Sequence, residues 1–302
     1  MSSTRKRSIL ITGCSAGSAG HALALEFAAQ GLQVFATARS TKSLPLLQEK
    51  GIEVLPLEVT SAESIAALKE EIAKRTGGKL DMLFNNAGIM HLAPAIEADP
   101  ARVRQMFDAN VFGVFDMINA FIPLLLAAVD KPSTPPTIIN TASVLARLPF
   151  PFSAAYNASK AAVATYSDTL RIELAPLGVK VVTVFMGEVK TGMMAADHIS
   201  FGEDSVYVDV EERVRERSRQ HAQKSMSAEE FARQVVGGVL AKPAIGKGEY
   251  LWKGTNAFIV WLLNAVGFRK IFDPTVRGPI GFDKKEIERA IFEKGQRGVK
   301  RA

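Results

Sequence analysis

Cysteine is nearly absent from this sequence, since Cys14 is the only one in 302 residues. A single cysteine cannot form an intramolecular disulfide, which fits a reducing compartment, and we expect a cytoplasmic location. Four scattered histidines add no ligand spacing typical of zinc, so no metal site is predicted. The sequence also shows no apolar run of about 20 residues, the length that spans a bilayer. The apolar stretch 257–267 is well short of that length.

Apolar side chains, by contrast, are plentiful: they make up 47% of the residues, against 23% that are charged. This balance excludes extended disorder, and the chain is long enough to bury a core without disulfides. The formal net charge is +6. The densest arginine cluster, within residues 213–219, is interleaved with Glu211, Glu212 and Glu216, as is typical of a solvated helix face. We therefore expect no nucleic-acid partner.

Short apolar segments alternate with longer helical patterns through most of the chain. Strands are predicted at Ser8–Thr12, Leu32–Ala38, Ile52–Leu57, Leu80–Asn85, Thr137–Ser143 and Val179–Phe185, and helices at Gly20–Gln30, Ser61–Thr76, Asp99–Val129 and Ser153–Ala175. Strands that are apolar along their whole length are typical of a parallel sheet covered by helices on both faces. The pattern predicts a single α/β domain with a doubly wound parallel sheet, a Rossmann fold.

The regular alternation stops after Thr191, which leaves residues 192–226 as a candidate lid over a substrate site. We assign residues 1–250, this lid included, to the Rossmann-type domain, and residues 251–302 to a C-terminal extension. The extension contains the apolar stretch 257–267. Packing on the domain and contact with a membrane surface both remain open for it.

A glycine-rich turn leads from the first predicted strand directly into a helix. The turn contains Gly13, Ser15, Gly17, Ser18 and Gly20. Its glycines let backbone N–H groups approach a pyrophosphate at the start of the helix, which favours a dinucleotide site. No carboxylate occurs between Leu32 and Ser43, where one would bind the ribose of NAD, whereas Arg39 offers a cation to a ribose 2′-phosphate. The cofactor is therefore predicted to be NADP(H).

Three further residues suggest acid–base chemistry. Tyr156 and Lys160 form an i, i+4 pair, so their side chains share one helical face. A phenol with a pKa of about 10 is a poor base at neutral pH, but a nearby ammonium group stabilises the phenolate and lowers that pKa. Ser143, at the end of the fifth strand, could hydrogen-bond a substrate oxygen as charge develops on it.

Asn110 lies inside a long predicted amphipathic helix. A buried amide in such a place is costly unless it is partnered, so it marks either a local irregularity of the helix or a functional group. The presence of the other motifs favours a functional group.

Taken together, the motifs resemble those of the short-chain dehydrogenases and reductases. The resemblance covers about Ser8 to Thr191 and rests on Thr12–Gly20, Asn85–Gly88, Asn110, Ser143 and Tyr156–Lys160, in that order. It implies that Tyr156 donates or accepts the proton and that Lys160 also holds the nicotinamide ribose. It implies that Ser143 orients the carbonyl and that Asn110 supports a proton relay. Further cofactor contacts are implied at Ile11, Glu58, Asn86, Ala87, Gly88, Val189 and Thr191.

Within the family, Gly20–Ala24 and Tyr156–Ala162 resemble fungal NADPH-dependent 1-acyldihydroxyacetone-phosphate reductase-like proteins, a branch that includes reductases of secondary metabolism. The resemblance implies reduction of a ketone, either an acyl dihydroxyacetone phosphate or a polyketide- or terpenoid-type intermediate. It also implies a homodimer or homotetramer, and a lipid-like substrate would favour peripheral contact with an internal membrane or lipid droplet. Redox-neutral chemistry (dehydration, isomerisation or epimerisation) and a non-catalytic NADP-binding scaffold are the alternatives.

The sequence departs from the pattern of this branch at several positions. Ser18–Ala19 stand in place of Gly–Ile, which predicts a more crowded phosphate turn and weaker cofactor binding. Glu58 replaces an aspartate near the adenine, which is a conservative change. Met186–Gly187 replace Pro–Gly after the sixth strand, which affects the expected contact to the nicotinamide carboxamide.

Overall fold

The computed structural model describes residues 5–130, 133–194, 196–241 and 249–299. Within these ranges the strands are β1 (Ser8–Ile11), β2 (Gln33–Ala38), β3 (Glu53–Pro56), β4 (Met82–Asn85), β5 (Thr137–Ser143), β6 (Lys180–Met186) and β7 (Tyr250–Lys253). They form one parallel seven-stranded sheet in the order β3-β2-β1-β4-β5-β6-β7. The ends of the assigned domains (residues 1–4 and 300–302) and residue 195 of the predicted lid lie outside the described residues.

Helices from the described ranges of the chain cover the sheet. They are α1 (Ala19–Ala29), α2 (Pro45–Glu49), α3 (Ala62–Thr76), α4 (Pro100–Phe107), α5 (Gly113–Leu126), α6 (Ala154–Leu174), α7 (Val208–Lys224), α8 (Ala228–Leu240), α9 (Ala257–Val266), α10 (Asp273–Arg277) and α11 (Lys285–Val299). A π-helical turn at Asp108–Phe112 joins α4 to α5. Short 3₁₀ turns occur between several of these elements.

Both faces of the sheet are buried, as the apolar strands require. On one face α1 and α8 bury Leu23 and Val235 against it, and on the other α5 and α6 bury Phe121 and Val163. Every residue of β1 and of β5 is buried. The predicted doubly wound parallel sheet in a single domain is confirmed.

The strand order reverses between β1 and β4, because the chain adds β2 and β3 on one side and β4 to β7 on the other. In open α/β sheets the crevice at such a reversal, beyond the carboxyl ends of the strands, is where ligands bind. The turns after β1, β4, β5 and β6 carry most of the predicted site residues. The fold therefore brings them to one edge.

The seventh strand is missing from the sequence prediction. Tyr250–Lys253 is short, lies at the sheet edge and contains a lysine, so it lacks the continuous apolar run that identified the other strands. It pairs with β6 and extends the sheet past residue 250. The C-terminal extension thus begins inside the sheet.

The continuous helix Pro100–Leu126 is long and apolar enough to cross a membrane by length and composition, contrary to the expectation that no apolar run of that length occurs. Of its most apolar window, 56% is buried inside the protein. Met117 and Phe121 on that side belong to the core against the sheet. Core packing accounts for the apolar composition of this helix.

Candidate active site

The glycine-rich turn after β1 packs tightly against the loop that follows β4. A Cβ at Gly13 would lie 2.7 Å from the Cα of Ala87, and one at Gly20 would lie 2.3 Å from the Gly13 carbonyl oxygen. Thr12 Oγ1 accepts hydrogen bonds from the N–H groups of Asn86 (3.0 Å) and Ala87 (2.9 Å). Asn86 Nδ2 donates to the carbonyl oxygens of Thr12 and Gly13. The two loops form one rigid wall at the carboxyl edge of the sheet.

The serine that departs from the family pattern caps α1. Ser18 Oγ accepts a hydrogen bond from the N–H of His21 (3.1 Å) and donates one to the Gly13 carbonyl oxygen (3.1 Å). Ala19 is buried in the core. The hydroxyl therefore bonds to the backbone of its own turn, which stabilises the start of the helix.

The turn fits the pyrophosphate of a dinucleotide. Gly13 and Gly17 have φ values of 74°, a conformation that glycine adopts without strain. Backbone N–H groups of the first turn of α1 lack intrahelical partners, and the helix dipole favours an anion there. Ser15 is exposed on the same turn.

Other predicted cofactor residues lie around this turn. Arg39 is exposed at the end of β2, and the Glu58 carboxylate accepts hydrogen bonds from the N–H and hydroxyl of Thr60. Ile11 lies behind the turn: its side chain is in the core, and its carbonyl oxygen accepts a hydrogen bond from Thr37 Oγ1 (3.0 Å). Ile11 thus supports the site from the interior of the sheet.

Ser143 and Tyr156 meet where β5 ends and α6 begins. The Ser143 hydroxyl is hydrogen-bonded to the Tyr156 phenol, and its Oγ also accepts from the N–H of Leu145 (3.1 Å). Lys160 lies one turn further along α6. Its Nζ is 5.8 Å from the centre of the Tyr156 ring and donates to the Thr141 carbonyl oxygen (2.9 Å).

Asn110 lies in the π-helical turn between α4 and α5 and is completely buried. Its Oδ1 accepts from the N–H of Ile89 (2.8 Å), and its Nδ2 donates to the Ile89 carbonyl oxygen (2.9 Å) and to Ser159 Oγ (3.1 Å). A Cβ at Gly88 would lie 3.0 Å from Asn110 Oδ1 and 3.5 Å from Lys160 Nζ. The helix is irregular at Asn110, as one interpretation predicts. The amide is also fully hydrogen-bonded and lies near Lys160, as expected of a functional group.

Burial controls the protonation of this cluster. Desolvation raises the pKa of Tyr156 to about 12, although the hydrogen bond from Ser143 opposes it. Desolvation also lowers the pKa of Lys160 to about 8. The net shift of the Tyr156 pKa is thus upward, opposite to the direction that the Tyr156–Lys160 spacing predicts, because burial is its largest cause and Lys160 Nζ donates to the Thr141 carbonyl oxygen. At neutral pH the phenol is protonated and can donate a proton.

Lys160→Met is expected to stabilise the protein at pH 7 by about 2 kcal/mol, because it removes a buried ammonium group and loses one hydrogen bond. Between pH 8 and 10.5 the unfolded lysine holds its proton and the folded one releases it, so wild-type stability rises with pH relative to the variant. Denaturant unfolding at pH 7 and pH 10 measures both effects. Lys74→Met, at an exposed position, is the matched control and should change stability little. A less stable Lys160→Met protein at pH 7 would contradict the expectation.

The loop after β6 is fixed to the end of β7. The N–H of Gly187 donates to the Lys253 carbonyl oxygen (2.7 Å), and a Cβ at Gly187 would lie 2.4 Å from the Thr255 carbonyl oxygen. Val189 is buried, and Thr191 is partly exposed. This backbone pairing holds the turn where Met186–Gly187 replace Pro–Gly.

An aromatic cluster covers the start of α6. Phe152 has a left-handed backbone with φ 64°, and its ring centre lies 4.8 Å from Phe201, 5.5 Å from Tyr207 and 5.8 Å from Phe282. Phe201 and Tyr207 belong to the predicted lid, and Phe282 to the C-terminal extension. These four rings, the Phe152 cluster, therefore join both segments to the helix that carries Tyr156. Around Phe282, therefore, the C-terminal extension packs on the domain.

Several supporting residues were missed in the sequence. Thr12 joins the two cofactor loops, Ser159 binds Asn110, and the Thr141 carbonyl holds Lys160. Polar residues within or directly after apolar strands, such as Thr12 and Thr141, are the signal that could have identified them, because buried polar groups require partners. A Rossmann-type sheet with a glycine-rich turn at this edge is typical of dinucleotide-dependent enzymes.

Comparison with known proteins identifies the family. A family model described as short chain dehydrogenase matches residues 7–199. The short-chain dehydrogenase virD of Hypocrea virens is 39% identical over 266 residues, covering 87% of this chain and 89% of that protein. The NADPH-dependent 1-acyldihydroxyacetone phosphate reductase of Schizosaccharomyces pombe is 39% identical over 259 residues, covering 82% and 85%. The structure of a short-chain dehydrogenase from Streptomyces avermitilis has a TM-score of 0.72 at 26% identity and covers 98% of this chain and 99% of that one.

The chain belongs to the short-chain dehydrogenase family. It is an oxidoreductase of that family, for which NAD(P) is the typical cofactor. Its relatives at this identity include a 1-acyldihydroxyacetone phosphate reductase and fungal short-chain dehydrogenases, so they define the family but not the substrate.

Proposed function

We propose that the protein is an NADPH-dependent reductase that converts an apolar ketone to an alcohol. The observation that carries the proposal is the juxtaposition of a protonated phenol, Tyr156, with Ser143 and Lys160 beside the glycine-rich turn. When bound, the reduced nicotinamide supplies a hydride to the carbonyl carbon. The residues of this chain then have to deliver one proton to the oxygen.

Tyr156 is the proton donor in this scheme. Its buried phenol carries the proton at neutral pH, and Ser143 holds the phenol oxygen by a hydrogen bond. As the substrate oxygen becomes an alkoxide, Ser143 stabilises it and the phenol protonates it. The ammonium group of Lys160, 5.8 Å from the centre of the Tyr156 ring, is the cation near the resulting phenolate. Lys160 thereby stabilises the anion formed during turnover.

The residues that would hold NADPH are those predicted from the sequence, with Gly13, Gly17 and Gly20 around the pyrophosphate and Arg39 at the 2′-phosphate. The Schizosaccharomyces pombe relative is named as NADPH-dependent, which supports the same preference here. Asn86, Ala87 and Gly88 would line the adenosine side, and Val189 and Thr191 the carboxamide.

Arg39→Asp is expected to reduce the preference for NADPH over NADH by about tenfold or more, because a charge-assisted hydrogen bond contributes about 1.5–3 kcal/mol. The ratio of kcat/KM for the two cofactors measures this. Lys74→Asp, which changes the net charge equally at another exposed position, is the control. An unchanged ratio in Arg39→Asp would mean that another group selects the cofactor.

The surroundings of the catalytic cluster favour an apolar substrate. Val144, the residue after Ser143, packs with Leu145 and Leu148 in one apolar cluster, and the aromatic Phe152 cluster precedes the helix that carries Tyr156. Such a surface suits a polyketide- or terpenoid-type ketone, or the acyl chain of an acyl dihydroxyacetone phosphate.

The test is oxidation of NADPH and of NADH by purified protein with a panel of ketones, including an acyl dihydroxyacetone phosphate and several polycyclic ketones. NADPH-linked alcohol formation is the expected result. Product formation without NADPH consumption would support the redox-neutral alternative. Cofactor binding with no conversion of any ketone would support the scaffold.

We also propose a homodimer or homotetramer in the cytoplasm. Phe112 beside α5 and Ile172 on α6 are exposed on the outer face of the domain, and apolar side chains of this kind suit burial by another subunit. The molar mass in solution tests this.

A further inference from the structure

Helix α9 exposes a row of large apolar side chains. The row continues into the turn after the helix and consists of Phe258, Ile259, Trp261, Leu262, Val266 and Phe268, here named the α9 ridge. Phe258 is 65% exposed, Val266 75% and Phe268 72%. On its other side the helix buries only Ala257 and Val260. The helix is thus apolar on both sides. Packing in the core explains the apolar residues on the buried side but not those on the exposed side.

The charged residues within the segment that carries the ridge are basic, and carboxylates lie at its margins, at Glu188, which accepts a hydrogen bond from Asn256 Nδ2, and at Glu249 and Asp273. From Tyr250 to Phe272 the sequence contains Lys253, Arg269 and Lys270 and no acidic residue. Lys270, two residues after Phe268, is exposed. A contiguous exposed apolar surface flanked by cations is complementary to a membrane surface with anionic lipids, where each nearby lysine or arginine adds attraction.

We propose that the α9 ridge docks on the surface of a bilayer that contains anionic lipids. The helix lies parallel to the membrane plane, its aromatic and aliphatic side chains enter the region between head groups and acyl chains, and the cations contact the lipid phosphates. At ten residues the helix is too short to span the hydrocarbon core. The contact is therefore peripheral.

The ridge lies next to the proposed substrate site. The buried side of α9 packs through Ala257 and Val260 against Val144, the neighbour of Ser143. Given the proposed function, docking through α9 places the ketone site close to the membrane, where apolar ketones accumulate.

The first experiment is co-sedimentation of the full-length protein with phosphatidylcholine vesicles, with and without phosphatidylserine. Phe258→Glu is compared with Phe292→Glu, because both phenylalanines are 65% exposed but Phe292 lies on α11. The wild type and Phe292→Glu should sediment with vesicles that contain phosphatidylserine. Phe258→Glu should bind them at least about tenfold more weakly, since it removes one buried aromatic side chain and adds an anion.

A spectroscopic measurement follows the ridge directly. The chain has two tryptophans, and Trp252 stacks on Phe185 with ring centres 4.1 Å apart, so Trp252→Phe leaves Trp261 as the only indole. In this variant the emission should shift to the blue and become less accessible to acrylamide when the vesicles are added. An unchanged spectrum would contradict insertion of the ridge.

Failure to sediment, or equal binding by Phe258→Glu, would overturn the proposal. So would a wild-type dimer that Phe258→Glu converts to a monomer, because a second copy would then cover the ridge. NADPH oxidation with a water-soluble ketone, in the absence of vesicles, separates this inference from the proposed function. That activity should be equal in wild type and Phe258→Glu, and membrane binding without any reductase activity would reject only the proposed function.

Discussion

Tyr156→Phe will lower kcat for ketone reduction by about 10²–10⁴-fold, the contribution expected of one positioned acid–base group. The substitution removes only the hydroxyl that hydrogen-bonds Ser143 and leaves the ring in its buried place. The affinity for NADPH should change little, because the glycine-rich turn and Arg39 are untouched. A fall in kcat at constant cofactor affinity identifies an interaction made in the transition state.

Tyr166→Phe is the matched control for this experiment. Tyr166 lies on the same helix, α6, but its ring stacks on Phe115 at 3.9 Å, away from the catalytic cluster. Steady-state kinetics and NADPH titration by fluorescence are measured for both variants. Retention of wild-type kcat in Tyr156→Phe would remove Tyr156 from the role of proton donor.

Gly20→Ala will abolish measurable NADPH binding and destabilise the protein. The new Cβ would lie 2.3 Å from the Gly13 carbonyl oxygen and 2.6 Å from Asn86 Nδ2, so the turn and the loop after β4 must separate. Steric insertion of this kind costs about 1–3 kcal/mol of unfolding free energy. The displaced turn no longer presents its backbone to a pyrophosphate.

Gly237→Ala shows what the same substitution does in open space. Gly237 lies within α8, and no atom comes within 4 Å of a Cβ added there. Alanine is a better helix former by about 0.8–1.0 kcal/mol, so this variant should be more stable and bind NADPH normally. Thermal unfolding and NADPH titration compare the two. Normal cofactor binding by Gly20→Ala would show that the contact with Asn86 is dispensable.

The fold was predictable because its strands are apolar on both faces. β1 is buried along its whole length and contains the apolar run Ile9–Ile11, and β5 is buried throughout although it also carries Asn140 and Thr141. β7 escaped prediction because an edge strand with one partner needs no such run. The edge strands of a sheet are therefore harder to predict from sequence than its central strands.

The site was predictable as a set of residues but not as an electrostatic arrangement. Spacing alone placed Lys160 beside Tyr156, and the structure has them on one helical face. The direction in which the Tyr156 pKa shifts depends on how deeply α6 is buried and on the hydrogen bond from Lys160 Nζ to the Thr141 carbonyl oxygen. Neither property belongs to the local sequence, because both arise from contacts between segments distant along the chain.

The Phe152 cluster affects how the chain folds while it is being translated. The strands of the sheet are complete once Lys253 has been made, but Phe152 lacks one of its ring partners until Phe282 follows. Contacts between residues so distant in sequence form late, because the intervening chain must be ordered first. A nascent chain that ends before Phe282 therefore carries all strands of the sheet but leaves the Phe152 cluster without its fourth ring, and incompletely covered apolar surface of this kind is what chaperones bind.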